Sequence, residues 1–261
     1  MAVHLKGATC EDIGEVTLLA GDPDRVKLIG YKLQNPRLVT ENREFVLISG
    51  YWKGKKVSVC STGIGISSTE IAVIELLEMG AKCLVRLGGC GAWQSNINPG
   101  DIIINHAMAR DPGTLKSYSV DVFPAVGDPI LVNCLRETAV NNNFRVHFGI
   151  GLTTQSYYLG QDRKPDISRG PSIENLMKYW SDRSIINCDM ETAAIYILAS
   201  LYGVYAGNLL VAHGNRITDQ WVEDEEYQRI HATISEIVFE SCFNSLQIYN
   251  SMKNTHSQIR K

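Results

Sequence analysis

Three arginines, Arg25, Arg43 and Arg86, stand where an anion could be held. Arg25 closes the segment Val16-Thr-Leu-Leu-Ala-Gly21-Asp-Pro-Asp-Arg25, and Arg86 lies in Cys83-Leu-Val-Arg86-Leu-Gly88-Gly89-Cys90-Gly91; Asn42-Arg43-Glu44 precedes a further apolar run. A short apolar run reads as a buried strand, and in open α/β sheets ligands collect beyond the carboxyl ends of such strands. A guanidinium there, beside the bare backbone N–H groups of a glycine turn, suits an oxyanion such as phosphate. Taken singly, each arginine also reads as half of a surface ion pair; three in such settings point to a site.

Two further clusters carry polar groups of a different kind. In Cys188-Asp189-Met190-Glu191-Thr192, carboxylates flank a methionine at a strand-to-helix junction. Simple charge matching to the helix dipole accounts for Glu191; a carboxylate here also suits the vicinal hydroxyls of a sugar, with Met190 as an apolar floor. In Tyr157-Tyr158-Leu159-Gly160-Gln161-Asp162-Arg163, an amide and a guanidinium stand two residues apart in a turn. That pair complements a planar imide edge, although such a turn is equally at home in water. Gly63-Ile-Gly65-Ile-Ser-Ser68 follows a strand and opens a helix, whose end holds an anion or is capped by its own hydroxyls. The third glycine of a dinucleotide fingerprint is missing there, and no Gly-Lys-Ser/Thr loop occurs in the chain.

These residues need a scaffold, and the hydrophobic pattern supplies one. Strands are expected at 16–21, 45–51, 56–61, 83–88, 101–108, 145–154 and 204–212, with a hairpin turn at Gly54. Helices are expected at 67–80, 128–142, 171–181, 190–202 and 221–250. Their alternation predicts one α/β domain over the 261 residues, a mixed and mostly parallel central sheet with helices on both faces. The polar stretch from about residue 250 is expected to fray.

Composition narrows the partners. A net charge of −3 gives no basic field for nucleic acid. No run approaches ~20 apolar residues, so no membrane span is expected. The seven cysteines are scattered without a Cys-x-x-Cys, which fits reduced thiols in a cytoplasmic protein rather than disulfides or zinc.

Taken together, the motifs Gly21-Asp-Pro-Asp-Arg25, Asn42-Arg43-Glu44-Phe45, Cys60-Ser-Thr-Gly-Ile-Gly65, Arg86-Leu-Gly88, Phe123-Pro-Ala-Val126, Gly160-Gln-Asp-Arg163, Asp189-Met-Glu191 and Asn215-Arg216 resemble the nucleoside phosphorylase family. The resemblance runs from about His4 to about residue 240 and is nearest to the uridine phosphorylase branch. It implies a partly closed mixed sheet, and phosphate bound by Gly21, Arg25, Arg86 and Gly89, with Arg43 supplied by a neighbouring subunit. Met190 and Glu191 would hold the ribose, joined by His4 of the neighbour. Gln161 and Arg163 would read the uracil edge, with Tyr157, His213 and Arg216 also at the base. Arg163, Gln161, Glu191 and Arg86 would carry the catalysis. Shared sites imply at least a dimer, and in this branch a hexamer of dimers. No organic cofactor is implied; inorganic phosphate is the co-substrate. Glu44, Ile64 and Ser68 match positions that hold a monovalent cation such as K+ at the dimer interface.

The implied reaction is phosphorolysis of an N-glycosidic bond, with uridine, and also deoxyuridine or thymidine, as substrate. In the purine branch an aspartate protonates the leaving base from the segment matching 211–216, and no acidic residue lies there in this chain. Three departures from the family pattern stand out. Gly89 and Cys90 replace hydroxyl residues after Arg-x-Gly, Ser67 replaces a proline, and His213-Gly214 replaces two apolar residues of the base pocket. One lost hydroxyl contact costs ~1–3 kcal/mol. The alternatives are a purine phosphorylase, a hydrolytic nucleosidase of the same fold, and a non-catalytic nucleoside-binding relative.

Overall fold

A computed structural model describes residues 2–259, and the side chains up to Lys253. In chain order the elements are β1 (Val16–Ala20), α1 (Pro23–Gly30), β2 (Gln34–Asn42), β3 (Phe45–Trp52), β4 (Lys55–Ser61), α2 (Ile66–Glu78), β5 (Cys83–Ala92), β6 (Ile102–Arg110) and β7 (Ala125–Val126). There follow α3 (Pro129–Asn141), β8 (Val146–Thr153), α4 (Leu176–Ser181), β9 (Ile185–Asp189), α5 (Thr192–Tyr202), β10 (Tyr205–Asn215), β11 (Gln220–Trp221) and α6 (Asp224–Ile259).

All of the strands join one sheet, whose order is β11-β10-β6-β8-β9-β5-β1-β4-β3-β2, with β7 attached to β6. A second pairing, β10 with β5, closes five of them into a ring, so the sheet is partly closed as the resemblance implies. The pairings of β1 with β4 and β5, of β5 with β10, and of β8 with β6 and β9 are parallel; the β2–β3–β4 arm is antiparallel.

The sheet is covered on both sides because its strands are apolar on both. In β1, Val16, Leu18 and Ala20 pack with α1, α3 and α6, while Leu19 packs with α2 and α5. Each such fully buried aliphatic side chain contributes about 1.5–3 kcal/mol.

Several elements differ from the sequence expectation. β2 is mostly exposed, so it lacks an apolar signal, and β9 spans only five residues. α1 is a helix of eight residues started by Asp22, whose side chain accepts from the Asp24 N–H, with Pro23 in the first turn. The helix expected at 171–181 shortens to Leu176–Ser181, whose first turn is held by the Asp162 carboxylate accepting from the Met177 N–H. The stretch expected to fray beyond 250 continues α6 to Ile259; Arg260 and Lys261 lie outside the described residues.

Candidate active site

The cavity arises where β5 changes neighbours. Its first residues pair with β1, ending at Leu19 opposite Arg86, and its last pair with β9, at Gly91 opposite Cys188. Between these contacts β1 has ended and β9 has not begun, so Gly88–Gly91 run past a gap at the carboxyl end of β1, a strand-order switch of the kind that takes ligands. A cavity of about 690 Å³ fills it. Gly21, Arg25, Arg86, Gly89, Tyr157, Gln161, Arg163, Met190, Glu191 and His213 all line this one space, although they come from distant parts of the sequence.

At one end lies a buried charge cluster. Arg86 Nε donates to Asp189 Oδ2 at 2.9 Å, and its NH2 meets Glu191 Oε2 at 2.6 Å. Its guanidinium folds back over Gly88, where a Cβ would come within 2.9 Å of Cζ, so only glycine leaves room. The remaining nitrogen, NH1, lies 3.9 Å from the point where a Gly21 Cβ would stand. Burial works to lower the pKa of Arg86, but the Glu191 and Asp189 carboxylates outweigh it and hold the guanidinium charged. For Glu191, burial pushes the carboxyl upward, opposed by Arg86 and by the Gly65 N–H, which donates to Oε1 at 2.7 Å. Asp189 is also locked by the Thr153 hydroxyl at 2.7 Å and by Thr192. Glu191 is thus fixed at the start of α5 with its outer face toward the cavity, in place to accept from sugar hydroxyls.

Arg25 is different. It is 8% exposed, makes no ion pair among the described residues, and its Nε has no hydrogen-bond partner there. Its guanidinium lies 5.4 Å from the ring centroid of Tyr227. A buried cation without a carboxylate is costly unless an anion arrives.

At the other end the polar groups sit on a 3-10 turn, Leu159–Gln161, closed by Asp162 in the left-handed conformation. The side-chain amide of Gln161, 5% exposed, has no hydrogen-bond partner among the described residues. Arg163 Cζ is 4.5 Å from the Tyr157 ring and 6.0 Å from Trp221, and its Nε is also unpartnered there. Arg216 is not among the residues lining the cavity. It donates from NH1 to the Gln161 carbonyl at 3.1 Å and from NH2 to the Asp162 carbonyl at 3.3 Å, so it braces the turn that presents Gln161 and Arg163. His213 lines the cavity and stacks on Tyr227 at 4.4 Å; burial, against the pull of Asp224, lowers its pKa and favours the neutral ring.

The remaining expected residues lie at the rim or outside. Glu44 Oε1 accepts from Ser68 Oγ at 2.9 Å, with Ile64 beside them at the mouth. The Glu44 carboxyl is held below its ordinary range, first by its own backbone N–H and then by Ser68. Arg43 is exposed at the β2–β3 turn with φ 56°, and His4 is tied to Glu75 Oε1 at 3.0 Å; neither reaches this chain's own cavity. Sequence reasoning missed two lining residues, Trp221 and Tyr227, which arrive from β11 and the first turn of α6. No motif marks them, because their proximity is created only when α6 packs back across β5 and β10.

A family model described as the phosphorylase superfamily matches residues 15–239, a span that contains every residue lining the cavity. A uridine phosphorylase of Thermococcus kodakarensis is 39% identical over 211 residues, covering 80% of this chain and 76% of its own length. The uridine phosphorylase of Escherichia coli K12 is 32% identical over 243 residues, 91% of this chain and 95% of its own. A guanosine phosphorylase of Halorubrum lacusprofundi is 31% identical over 206 residues, 79% of this chain and 80% of its own.

Proposed function

The chain belongs to the phosphorylase superfamily, and from that premise we propose that it cleaves the N-glycosidic bond of uridine with inorganic phosphate, giving uracil and ribose 1-phosphate. The observation that carries this reading is Arg25, a buried guanidinium with no carboxylate partner among the described residues, facing the same cavity as the fixed Glu191 carboxylate and an amide–guanidinium pair.

On this reading the work divides as follows. Phosphate sits between Arg25, the free NH1 edge of Arg86 and the turn at Gly21, with Gly89 beside it. Glu191 accepts from the ribose hydroxyls and Met190 packs on the sugar. A phosphate oxygen bonds to the anomeric carbon while the carbon–nitrogen bond breaks, and its electron pair leaves on the base. Arg163 and Gln161 donate to the uracil edge and stabilise that charge until water returns a proton to the ring nitrogen. The dianion next to the sugar stabilises its oxocarbenium character.

A purine reading finds no support in the base end. The acidic residue nearest to the 211–216 segment, Asp219, lies outside the cavity and accepts from Trp221 Nε1 at 3.1 Å. The positions of Arg43, exposed, and of His4, half-buried, both away from their own cavity, support a neighbouring copy of the chain as the subunit they serve, in a dimer at least and a hexamer of dimers as in the resemblance. Glu44, Ser68 and Ile64 form an oxygen-bearing corner that fits a monovalent cation such as K+. Seven free cysteines, six of them buried, support a reducing, cytoplasmic setting.

The test is a panel of uridine, deoxyuridine, thymidine, inosine and guanosine, each with and without phosphate, read as free base. Phosphate-dependent uracil release is expected. Release without phosphate, or a preference for inosine or guanosine, overturns the reading.

A further inference from the structure

The structure gives the gap left at Gly89 an occupant. A Cβ built on Gly89 would lie 1.8 Å from Tyr227 Oη and 3.0 Å from its Cζ. The phenol oxygen therefore stands where the first atoms of a side chain at position 89 would stand. It reaches that point from the far end of the chain, on α6, and enters the cavity between Arg25 and Gly89.

Three observations say that this hydroxyl is placed for a ligand. Tyr227 is 8% exposed, and its Oη makes no hydrogen bond to protein among the described residues, so a donor on a largely buried ring is left open to the cavity. A donor free of protein partners can turn to an incoming acceptor without breaking a bond within the fold, and a charged acceptor makes the stronger hydrogen bond. The ring is immobilised on several sides: His213 stacks on it at 4.4 Å, His231 meets it edge-on at 4.4 Å, and the Arg25 guanidinium lies over it at 5.4 Å. His231 also holds the Tyr227 carbonyl through Nδ1 at 2.8 Å, so little freedom remains for a ligand to remove. Finally, burial raises the phenol pKa, with Arg25 opposing, which keeps the group a donor.

We propose that the Tyr227 hydroxyl donates a hydrogen bond to the phosphate co-substrate, acting as a phosphate-binding residue in place of a hydroxyl side chain at position 89. The inference rests on the phosphorolysis reading and adds a third contact to Arg25 and Arg86. It also makes positions 89 and 227 sterically exclusive, since any side chain at 89 must displace the phenol.

The test uses the full chain and separate titrations of phosphate and uridine. Tyr227→Phe keeps the ring and removes only the hydroxyl; the KM for phosphate should rise about 10–100-fold, the range for a lost hydrogen bond to a charged group, with the KM for uridine nearly unchanged. Gly89→Ala leaves the hydroxyl in the protein but pushes it out of place, and should raise the phosphate KM in the same selective way. The double variant Gly89→Ser/Tyr227→Leu returns a hydroxyl from the opposite wall and should recover most of the loss seen in Tyr227→Phe. An unchanged phosphate KM in Tyr227→Phe, or a rise shared equally by uridine, overturns the proposal while leaving phosphorolysis standing. Should Tyr227→Phe fail to fold, an unchanged phosphate KM in Gly89→Ala overturns it instead. Uracil release by the unaltered protein without phosphate would overturn the underlying reading, a failure visible before any variant is made.

Discussion

At one end of the cavity Arg86 is gripped by two carboxylates, Asp189 at 2.9 Å and Glu191 at 2.6 Å, whereas at the other Arg163 leans on the rings of Tyr157 and Trp221 and has no ion pair among the described residues. The first arrangement grows from the middle of β5, the end of β9 and the start of α5, at the heart of the sheet. The second hangs on a short turn that is tied down through the backbone by Arg216. The difference teaches that one end of the site is inseparable from folding and the other is not. Removing a charge from the first leaves buried carboxylates without compensation; removing a charge from the second leaves only space.

Arg86→Met gives the largest expected effect and tests that claim directly. Breaking a buried ion-pair cluster by deleting one partner costs about 3–5 kcal/mol. Urea unfolding should show that loss together with abolished phosphorolysis. By contrast, Arg163→Ala should lower kcat about 100–1000-fold, the range for losing one donor to developing charge, while the urea midpoint stays near that of the parent. A large stability loss in this second variant would erase the distinction between the two ends.

His231 extends the comparison behind Arg25 and Tyr227. Burial pushes its pKa down to about 3, with Arg25 adding to the shift. The unfolded chain therefore takes up a proton near pH 6.5 that the folded chain refuses. Stability contributed by the neutral ring is complete above that pH and falls as pH drops through the window toward 3, at up to about 1.4 kcal/mol per pH unit. Unfolding measured at pH 7.5 and pH 5 should show this slope in the parent and a shallower one in His231→Gln.

The smallest effect is expected for Arg216→Ala. It removes two bonds to backbone carbonyls, each worth about 0.5–1.5 kcal/mol, so the KM for uridine should rise by roughly tenfold with the KM for phosphate unaffected. A rise in the phosphate KM would mean that the base turn and the arginine cluster move together.

The same contrast explains what the sequence made legible. Arg25 and Arg86 stand beside glycines in or just after apolar runs that read as strands, and Asp189 and Glu191 flank a methionine at a strand-to-helix junction, so their convergence could be read from the chain although α1 and β9 could not. Gln161 and Arg163 were legible as a pair, but the supporting role of Arg216 was not, because its bonds go to carbonyls and leave no pattern in residue types. β2 escaped notice because an edge strand facing water needs no apolar alternation, and α1 because eight residues give barely two turns of periodicity. Tyr227 lies within an ordinary amphipathic helix, where an aromatic reads as core; only the packing of α6 across β5 turns it toward Gly89.

The contact between Gly89 and Tyr227 also constrains how such a sequence can have changed through time. A bulky residue at 89 and this ring at 227 cannot coexist, so the two positions are epistatic, and a lineage moving between the two arrangements must lose the larger group at one wall before gaining it at the other. If the Tyr227 hydroxyl holds phosphate as proposed, the intermediate, with a small residue on both walls and no hydroxyl on either, binds it weakly. Ancestral reconstructions that swap either position singly should therefore cross a valley of fitness, although each endpoint is a working enzyme.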